Sequence, residues 1–472
     1  MDSVGTRSDA YKLLHDGIIA LAQAEKNGIR IDVAYCEIQR AKLENDIIGL
    51  EQEFMMSRLG RQWGHVFKDK MNLNSNDQLR HLLYVINKLE PSKMTDKHEE
   101  DASKNKGSVN EETLVTLDID ELVHYIRRTK LMKAKEFIDR FLREHVRGWI
   151  HPNFDLHLVK TFRSSSSNPN FQNLPARDEE IMQIVRGAIY PRRGHLILEL
   201  DFKGIEVSVS VCYHKDPNME RYVRDKSTDM HRDMTKQIFF MDHYGAEITG
   251  HTYLRKATKN GFVFPQFYGD WYKSNAISLA CNWGKLSKGK WSVGQGIPFE
   301  KGHLSDHFIR RGIDNFDAFV NHVKVIEDDF WGRRFRVYAK WKEDIWQDYQ
   351  EKGYLDMYTG FRYSGMANRK QVCNTPIQGS AFHCLLWSFI EMSNELLEYY
   401  SLKSRLIGQI HDSILVDIWP DELEDVVALI TAITTEELPK HWSWIKVPME
   451  VDLEKCEVDR PWSEKKAFKI GE

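Results

Sequence analysis

LILELDFKGIEV (Leu196–Val207) is an apolar, β-prone run that ends in an acid, Asp201. A second run, LIGQIHDSILVDI (Leu406–Ile418), carries Asp412 in the same setting. Both patterns predict a buried strand. A lone carboxylate there would be desolvated at a cost. Two that converge from distant segments can hold a divalent cation, whose charge reverses that penalty. Asp201 and Asp412 are therefore the first candidate site residues.

With 472 residues the chain can bury large cores, and roughly two to four domains or subdomains are expected. The net charge of −4 does not argue against nucleic acid, because a basic cleft can sit on an acidic body. The six cysteines have no CxxC spacing, which argues against a zinc site or a disulfide framework and suits a reducing cytoplasm. No apolar run approaches the ~18 residues of a membrane span, and MDSVGTRSDAYK does not read as a signal peptide. The expectation is a soluble cytoplasmic protein with no membrane partner.

Residues 10–60 read as amphipathic helix, broken by a Gly turn at KNGIRID (Lys26–Asp32). Residues 91–112 are charged and poor in large apolar groups. The helix after them carries Arg127, Arg128, Lys130, Lys133, Lys135 and Arg140, either a solvated face or a basic stripe for a phosphate backbone. SSSSNPNFQNLP (Ser164–Pro175) reads as loop, with short strands near Ala188–Tyr190 and Leu196–Leu200. Helices return over 215–400; a strand pair flanks His411–Asp412, a helix covers Glu422–Glu437, and a last strand lies near Val447–Val451. That order implies an α+β fold with a discontinuous sheet domain.

DFKGIE (Asp201–Glu206) and HDS (His411–Ser413) resemble motifs A and C of family A DNA polymerases, the DNA polymerase I class. RSSSSNPNFQNLP (Arg163–Pro175) and NTPIQGSA (Asn374–Ala381) resemble two further signatures, while EKNGIRID and NLNSNDQL (Asn72–Leu79) resemble stretches of the thumb. The motifs run in the family's order over nearly the whole chain. The resemblance implies a right-hand fold: an antiparallel palm sheet with helical fingers and thumb. The implied parts are a thumb at 1–150, a palm at 151–225 and 385–472, and fingers at 226–384 with an inserted loop at 282–305. That loop is either surface decoration or a template or accessory contact.

The resemblance also assigns roles. Asp201, Asp412 and the Phe202 carbonyl hold two Mg²⁺ ions, which clamp the attacking and leaving oxygens of a phosphoryl transfer. Glu206 fills the space of a ribose 2′-OH, and His231 in STDMHRD helps hold the triphosphate. Arg255 and Lys259 bind the triphosphate, Phe264 meets the incoming sugar and base, and Tyr268 lies at the template base. Arg163, Asn170, Asn173, Asn374, Gln378 and His411 sense the DNA minor groove, whose acceptors occur at every base pair.

Two departures stand out. The family places its Arg, Lys, aromatic and Tyr at four-residue steps on one helical face, but here Lys259 and Phe264 are five apart. Either a one-residue π-bulge restores the face, or Lys256 and Asn260 take the upstream places. Ser413 replaces the Glu usual after the motif C aspartate. The expected activity is DNA-directed extension of a primer 3′-OH with dNTPs, releasing pyrophosphate. The expected form is a phage or viral monomer without proofreading, since DID (Asp118–Asp120) comes too late for an exonuclease acid pair. Replication accessory proteins are a partner class left open. A single-subunit RNA polymerase, a reverse transcriptase and an inactive primer–template-binding protein are the rival readings; Glu206 argues against the first.

Overall fold

The computed structural model describes residues 4–95, 107–117, 119–175, 178–241, 251–281, 283, 289–299, 302–396 and 402–469. Residues 96–106 of the polar run expected at 91–112, Asp118 of DID, and residues 282, 284–288 and 300–301 of the inserted loop lie outside them. The chain forms two compact units, residues 1–45, 131–225 and 337–472 in one and 46–130 and 226–336 in the other.

The first unit is built on a five-stranded antiparallel sheet: β1 (Leu196–Phe202), β2 (Arg405–Ile410), β3 (Ser413–Ile418), β4 (Val451–Lys455) and β5 (Lys466–Ala467). Their order is β5-β4-β1-β3-β2. The two runs singled out in the sequence are thus neighbours at the centre of the sheet. β1 is buried from Leu196 to Leu200, as both faces are covered. Glu199 stays buried because Trp462 Nε1 donates to it at 2.9 Å and Lys465 Nζ at 2.5 Å. A buried acid is tolerable only with such partners.

The long helix Arg369–Asn394 packs in the same unit, started by an Asn368–Gln371 capping box. The N-terminal helix Arg7–Asn27 lies against it so closely that a Cβ on Gly17 would meet Leu386 Cδ2 at 2.9 Å. The Gly turn after that helix is present, with Gly28 at φ +69°, but Ile29–Ile31 then forms a strand between Trp149–Ile150 and Ile189–Tyr190. Three further details differ from the sequence reading. The last expected strand begins at Val451 rather than Val447. A hairpin, Tyr354–Asp356 with Arg362–Ser364, interrupts the helical stretch. Ser165–Ser167 of the Ser-rich loop pairs with Asn153–Asp155.

The second unit holds two segments of chain. In 46–130, Phe54, Leu59, Trp63, Leu79, Leu82 and Tyr125 make a core. Arg128 is buried and bonded to Glu51 and Asn74. Lys130 pairs with Glu111, and in the first unit Lys135 pairs with Glu44 and Asp139, and Arg140 with Glu136. These partners favour a solvated, self-paired face over a phosphate-tracking stripe.

In 226–336 the helix His251–Thr258 continues through a π turn, Lys259–Val263, into Phe264–Phe267. The described part of the inserted loop is not surface decoration. Trp283, Trp291 and Phe299 are buried, and the Trp283 ring lies 4.4 Å from Phe319 and 5.6 Å from Phe308. Removing a fully buried indole leaves a large cavity, so Trp283→Ala should cost about 3–5 kcal/mol in urea unfolding. A change within the error of the extrapolation would mean that the insertion is not part of the core.

Candidate active site

In the first unit, strand register delivers the acids. Ser413 pairs with Asp201 across β3 and β1, and the Phe202 N–H donates to the Asp412 carbonyl at 3.1 Å. Asp201, Phe202 and Asp412 are therefore brought together. Phe202 buries its ring, so only its peptide group can take part. The β2–β3 connection has two residues, His411 and Asp412, and His411 is held at φ +51°. A non-glycine residue there is strained, and it persists only where its surroundings enforce it.

A buried polar network supplies that enforcement. Gln409 Nε2 donates to the His411 carbonyl at 2.6 Å. Gln409 Oε1 accepts from Ser164 Oγ at 2.8 Å and from Gln172 Nε2 at 2.5 Å. Gln409 and Gln172 are both buried. Neither was singled out in the sequence, since nothing local in it shows a glutamine buried in an otherwise ordinary strand. The loop 163–175 is thereby tied to the Asp412 turn. It also carries Asn170, whose Oδ1 accepts from Ser166 Oγ, and Asn173, which is exposed on the turn Phe171–Asn173.

Arg163 is the hub of the remaining candidates. It forms an ion pair with Glu206, reaches the Gln378 carbonyl at 3.5 Å, and its charge acts on Asp412. Glu206 lies in the first turn of the helix Ile205–His214 rather than on a strand, because the chain reverses at Gly204 (φ +62°). It is half-buried. Asn374 and Gln378 are one turn apart on the helix Arg369–Asn394, which puts them on one face.

The electrostatics fit a cation. Burial, then the Asp412 charge, push the Asp201 carboxyl up to about 7, although one side of it stays open to solvent. Burial also raises Asp412, against the lowering influence of Arg163 and His411. Two buried carboxyl groups, one of them raised by the charge of the other, would be stabilised as carboxylates by a divalent ion between them. Among the described residues no cluster of three or more His, Cys, Asp or Glu could hold a metal. Two acids suit Mg²⁺, which keeps several waters and is completed by substrate phosphates.

In the second unit, the other candidates gather around the π turn. With it in place, Lys259 Nζ lies 5.2 Å from the centre of the Phe264 ring. His231 meets the same ring edge-on at 5.6 Å. The five-residue step is therefore absorbed by the π turn, and Lys256 and Asn260 are not needed upstream. Arg255 Nε is held by Asp229 at 2.7 Å, so any anion must share Arg255 with that acid. Burial, then Lys259 and Arg255, press His231 down to about 4, and its Nδ1 has no hydrogen-bond partner among the described residues. Tyr268 ends the helix, exposed, ahead of Gly269 at φ +81°. Beneath it, buried Gln266 is bound by Asn275 and Trp331.

The Asp201 shift has a defined sign. The unfolded carboxyl titrates near 3.8 and the folded one near 7, so between them the folded state holds the extra proton and loses stability as pH rises. In metal-free protein, Asp201→Asn should raise Tm at about pH 8 and change it little at about pH 4. Thermal unfolding with a chelator checks this; an equal change at both pH values would contradict the shift.

The model of DNA polymerase family A matches residues 34–282 and 330–463. The thermostable DNA polymerase I of Thermus thermophilus is 27% identical over 454 residues, covering 92% of this chain and 46% of its own length. DNA polymerase I of Bacillus subtilis is 25% identical over 446 residues, covering 92% and 44%. The chain thus spans less than half the length of these curated relatives. The solved POL domain of Pol1 from M. smegmatis, in complex with DNA primer-template and dNTP, superposes with a TM-score of 0.70 at 20% identity, covering 95% of this chain and 70% of that one. That likeness agrees with the right-hand polymerase fold, and the extent of the family match makes the chain a member of DNA polymerase family A.

Proposed function

We propose that this chain is a DNA-directed DNA polymerase, adding dNTPs to a primer 3′-OH on a DNA template and releasing pyrophosphate. The observation that carries the reading is the placing of Asp412, in the turn that leads into β3, next to the end of β1 where Asp201 pairs with Ser413, each carboxyl raised. Asp201, Asp412 and the Phe202 carbonyl would hold Mg²⁺. Bound there, the two ions would neutralise charge on the reacting phosphate and lower the pKa of the attacking hydroxyl.

The protein's own part is positioning and charge. Lys259 and Arg255 neutralise the triphosphate. His231, neutral at physiological pH, can present an N–H to a phosphate oxygen without carrying charge. Phe264 packs on the nucleotide, and Lys259 lies over its ring. Tyr268 meets the template base. Glu206 blocks a ribose 2′-OH, and its bond to Arg163 keeps the side chain from swinging aside. Arg163, Asn170, Asn173, Asn374, Gln378 and His411 contact the minor groove of the primer–template. In this reading the thumb is 1–150, the palm 151–225 and 385–472, and the fingers 226–384. The chain acts as a monomer in a cytoplasm; a phage source is consistent with its divergence from the bacterial relatives.

Extension of a labelled primer with Mg²⁺, comparing dNTPs with rNTPs, tests the function. Elongation with dNTPs alone is expected, and Asp412→Ala should abolish it while leaving DNA binding intact. Synthesis by Asp412→Ala would refute the metal assignment, and elongation with rNTPs would move the chain to the RNA polymerase reading.

The sugar choice has its own test. Glu206→Ala should raise ribonucleotide incorporation by at least tenfold relative to dNTPs, since the loss of about 1.4 kcal/mol of discrimination is a factor of ten. Unchanged selectivity in single-nucleotide kinetics would remove the gate.

A further inference from the structure

In the second unit the helix Met230–Ile238 carries its N-cap acid, Asp229, and His231 at one end. At the other end, the last carbonyls of a helix have no partner within it. Here three successive carbonyls are taken by side chains from much further along the chain. His322 Nε2–H donates to the Ile238 carbonyl at 3.0 Å, His307 Nε2–H to that of Phe239 at 2.7 Å, and Arg311 Nη2 to that of Phe240 at 3.0 Å. Arg311 Nη1 also donates to His307 Nδ1 at 3.1 Å, which leaves the imidazole proton on Nε2, facing the helix.

Phe240 needs such support. Its φ is +50°, in the left-handed region where a helix end usually places glycine, and the Met241 N–H reaches back to the Lys236 carbonyl at 2.9 Å to close the turn. A bulky residue is strained there and persists only where its surroundings enforce the conformation. The Phe240 ring stacks on His322 at 4.3 Å and lies 5.6 Å from the Arg311 guanidinium. Two of the side chains that take the carbonyls thus also hold the ring. His307, Arg311 and His322 all fall within 283–329, the stretch that the family model leaves unmatched. The far end of the same helix faces the candidate triphosphate contacts: Asp229 accepts from Arg255 Nε at 2.7 Å, and His231 meets the Phe264 ring. The helix also packs on His251–Thr258, which carries Arg255. At ~1.5 Å per residue, His231 lies roughly 10 Å along the axis from the clamped end.

We propose that His307, Arg311 and His322 are positioning residues for the triphosphate. They clamp the C-terminal end of the helix Met230–Ile238 and so set where its other end presents His231 and, through Asp229, Arg255. The insertion then has a function: its aromatic core fixes the three clamping side chains, and the strained turn at Phe240 is the point they grip. The inference rests on the polymerase reading for the roles of His231 and Arg255.

Single-nucleotide incorporation, with active sites counted, and calorimetric titration of inorganic tripolyphosphate into the protein–primer–template complex test it together. Arg311 is exposed, so Arg311→Ala should still fold. It should raise the dNTP KM and weaken tripolyphosphate binding by roughly two- to tenfold, the worth of one hydrogen bond, with kcat per active site nearly unchanged. Arg311→Lys, which keeps the charge and a donor, should recover most of the loss, and His322→Ala should act in the same direction as Arg311→Ala. Lys290→Ala, in the insertion but outside the clamp, should change neither quantity. A purely structural role would lower the number of active sites and leave the KM of the remainder and the tripolyphosphate affinity unchanged; that result overturns the clamp and leaves the polymerase reading standing. An equal effect of Lys290→Ala also overturns it. A wild type that neither incorporates nucleotide nor binds tripolyphosphate contradicts the polymerase reading, and the clamp's role falls with it.

Discussion

The site rests on an unfavourable interaction between like charges, the charge of Asp412 acting with burial to raise Asp201. β1 and β3 are central strands, and their register admits no slip without turning every buried side chain to the wrong face. That register fixes Asp201 beside the Asp412 turn. The apolar burial that stabilises the sheet thus places two carboxylates where neither is well solvated. The rest of the first unit is arranged around this: His411 takes a strained conformation, buried Gln409 holds it, and Arg163 offsets part of the charge. A divalent cation placed between the two carboxylates would relieve that conflict.

The second unit solves a different problem, which is to keep cations and rings on one helical face across an extra residue. A regular helix turns about 100° per residue, so a five-residue step would rotate Lys259 away from Phe264. The π turn takes up the additional residue locally. Pro265 follows at once, at a place where the regular backbone bonding is already interrupted. Buried Gln266, bound on both its amide nitrogen and oxygen, then fixes the end of the helix.

Much of this was legible in the sequence because it is local. An acid closing a β-branched run marks a strand end, and a spacing of five where the family resemblance expects four left a π turn as one of two readings, the other using Lys256 and Asn260. The α+β class followed from the order of the elements. Other features were hidden because they depend on partners far away in sequence. Nothing near Gln409 announces Ser164 and Gln172, and nothing near Glu206 announces Arg163. The strand expected at Val447–Val451 starts four residues later because Val447 and Met449 are buried outside the sheet, where an apolar pattern looks the same. The basic residues after 126 suggested a phosphate stripe, yet Arg128 is satisfied inside the unit by Glu51 and Asn74, which lie more than fifty positions away.

The central claim is that Asp201 and Asp412 are ligands of one divalent metal site, and counting bound ions tests it most directly. Mn²⁺ can be titrated, with free ion read by electron paramagnetic resonance, into protein carrying a chain-terminated primer–template and the next dNTP. The account predicts two tightly held ions per complex in the wild type, and loss of at least one in both Asp201→Asn and Asp412→Asn. Full occupancy in either variant, with DNA and nucleotide still bound, would contradict it.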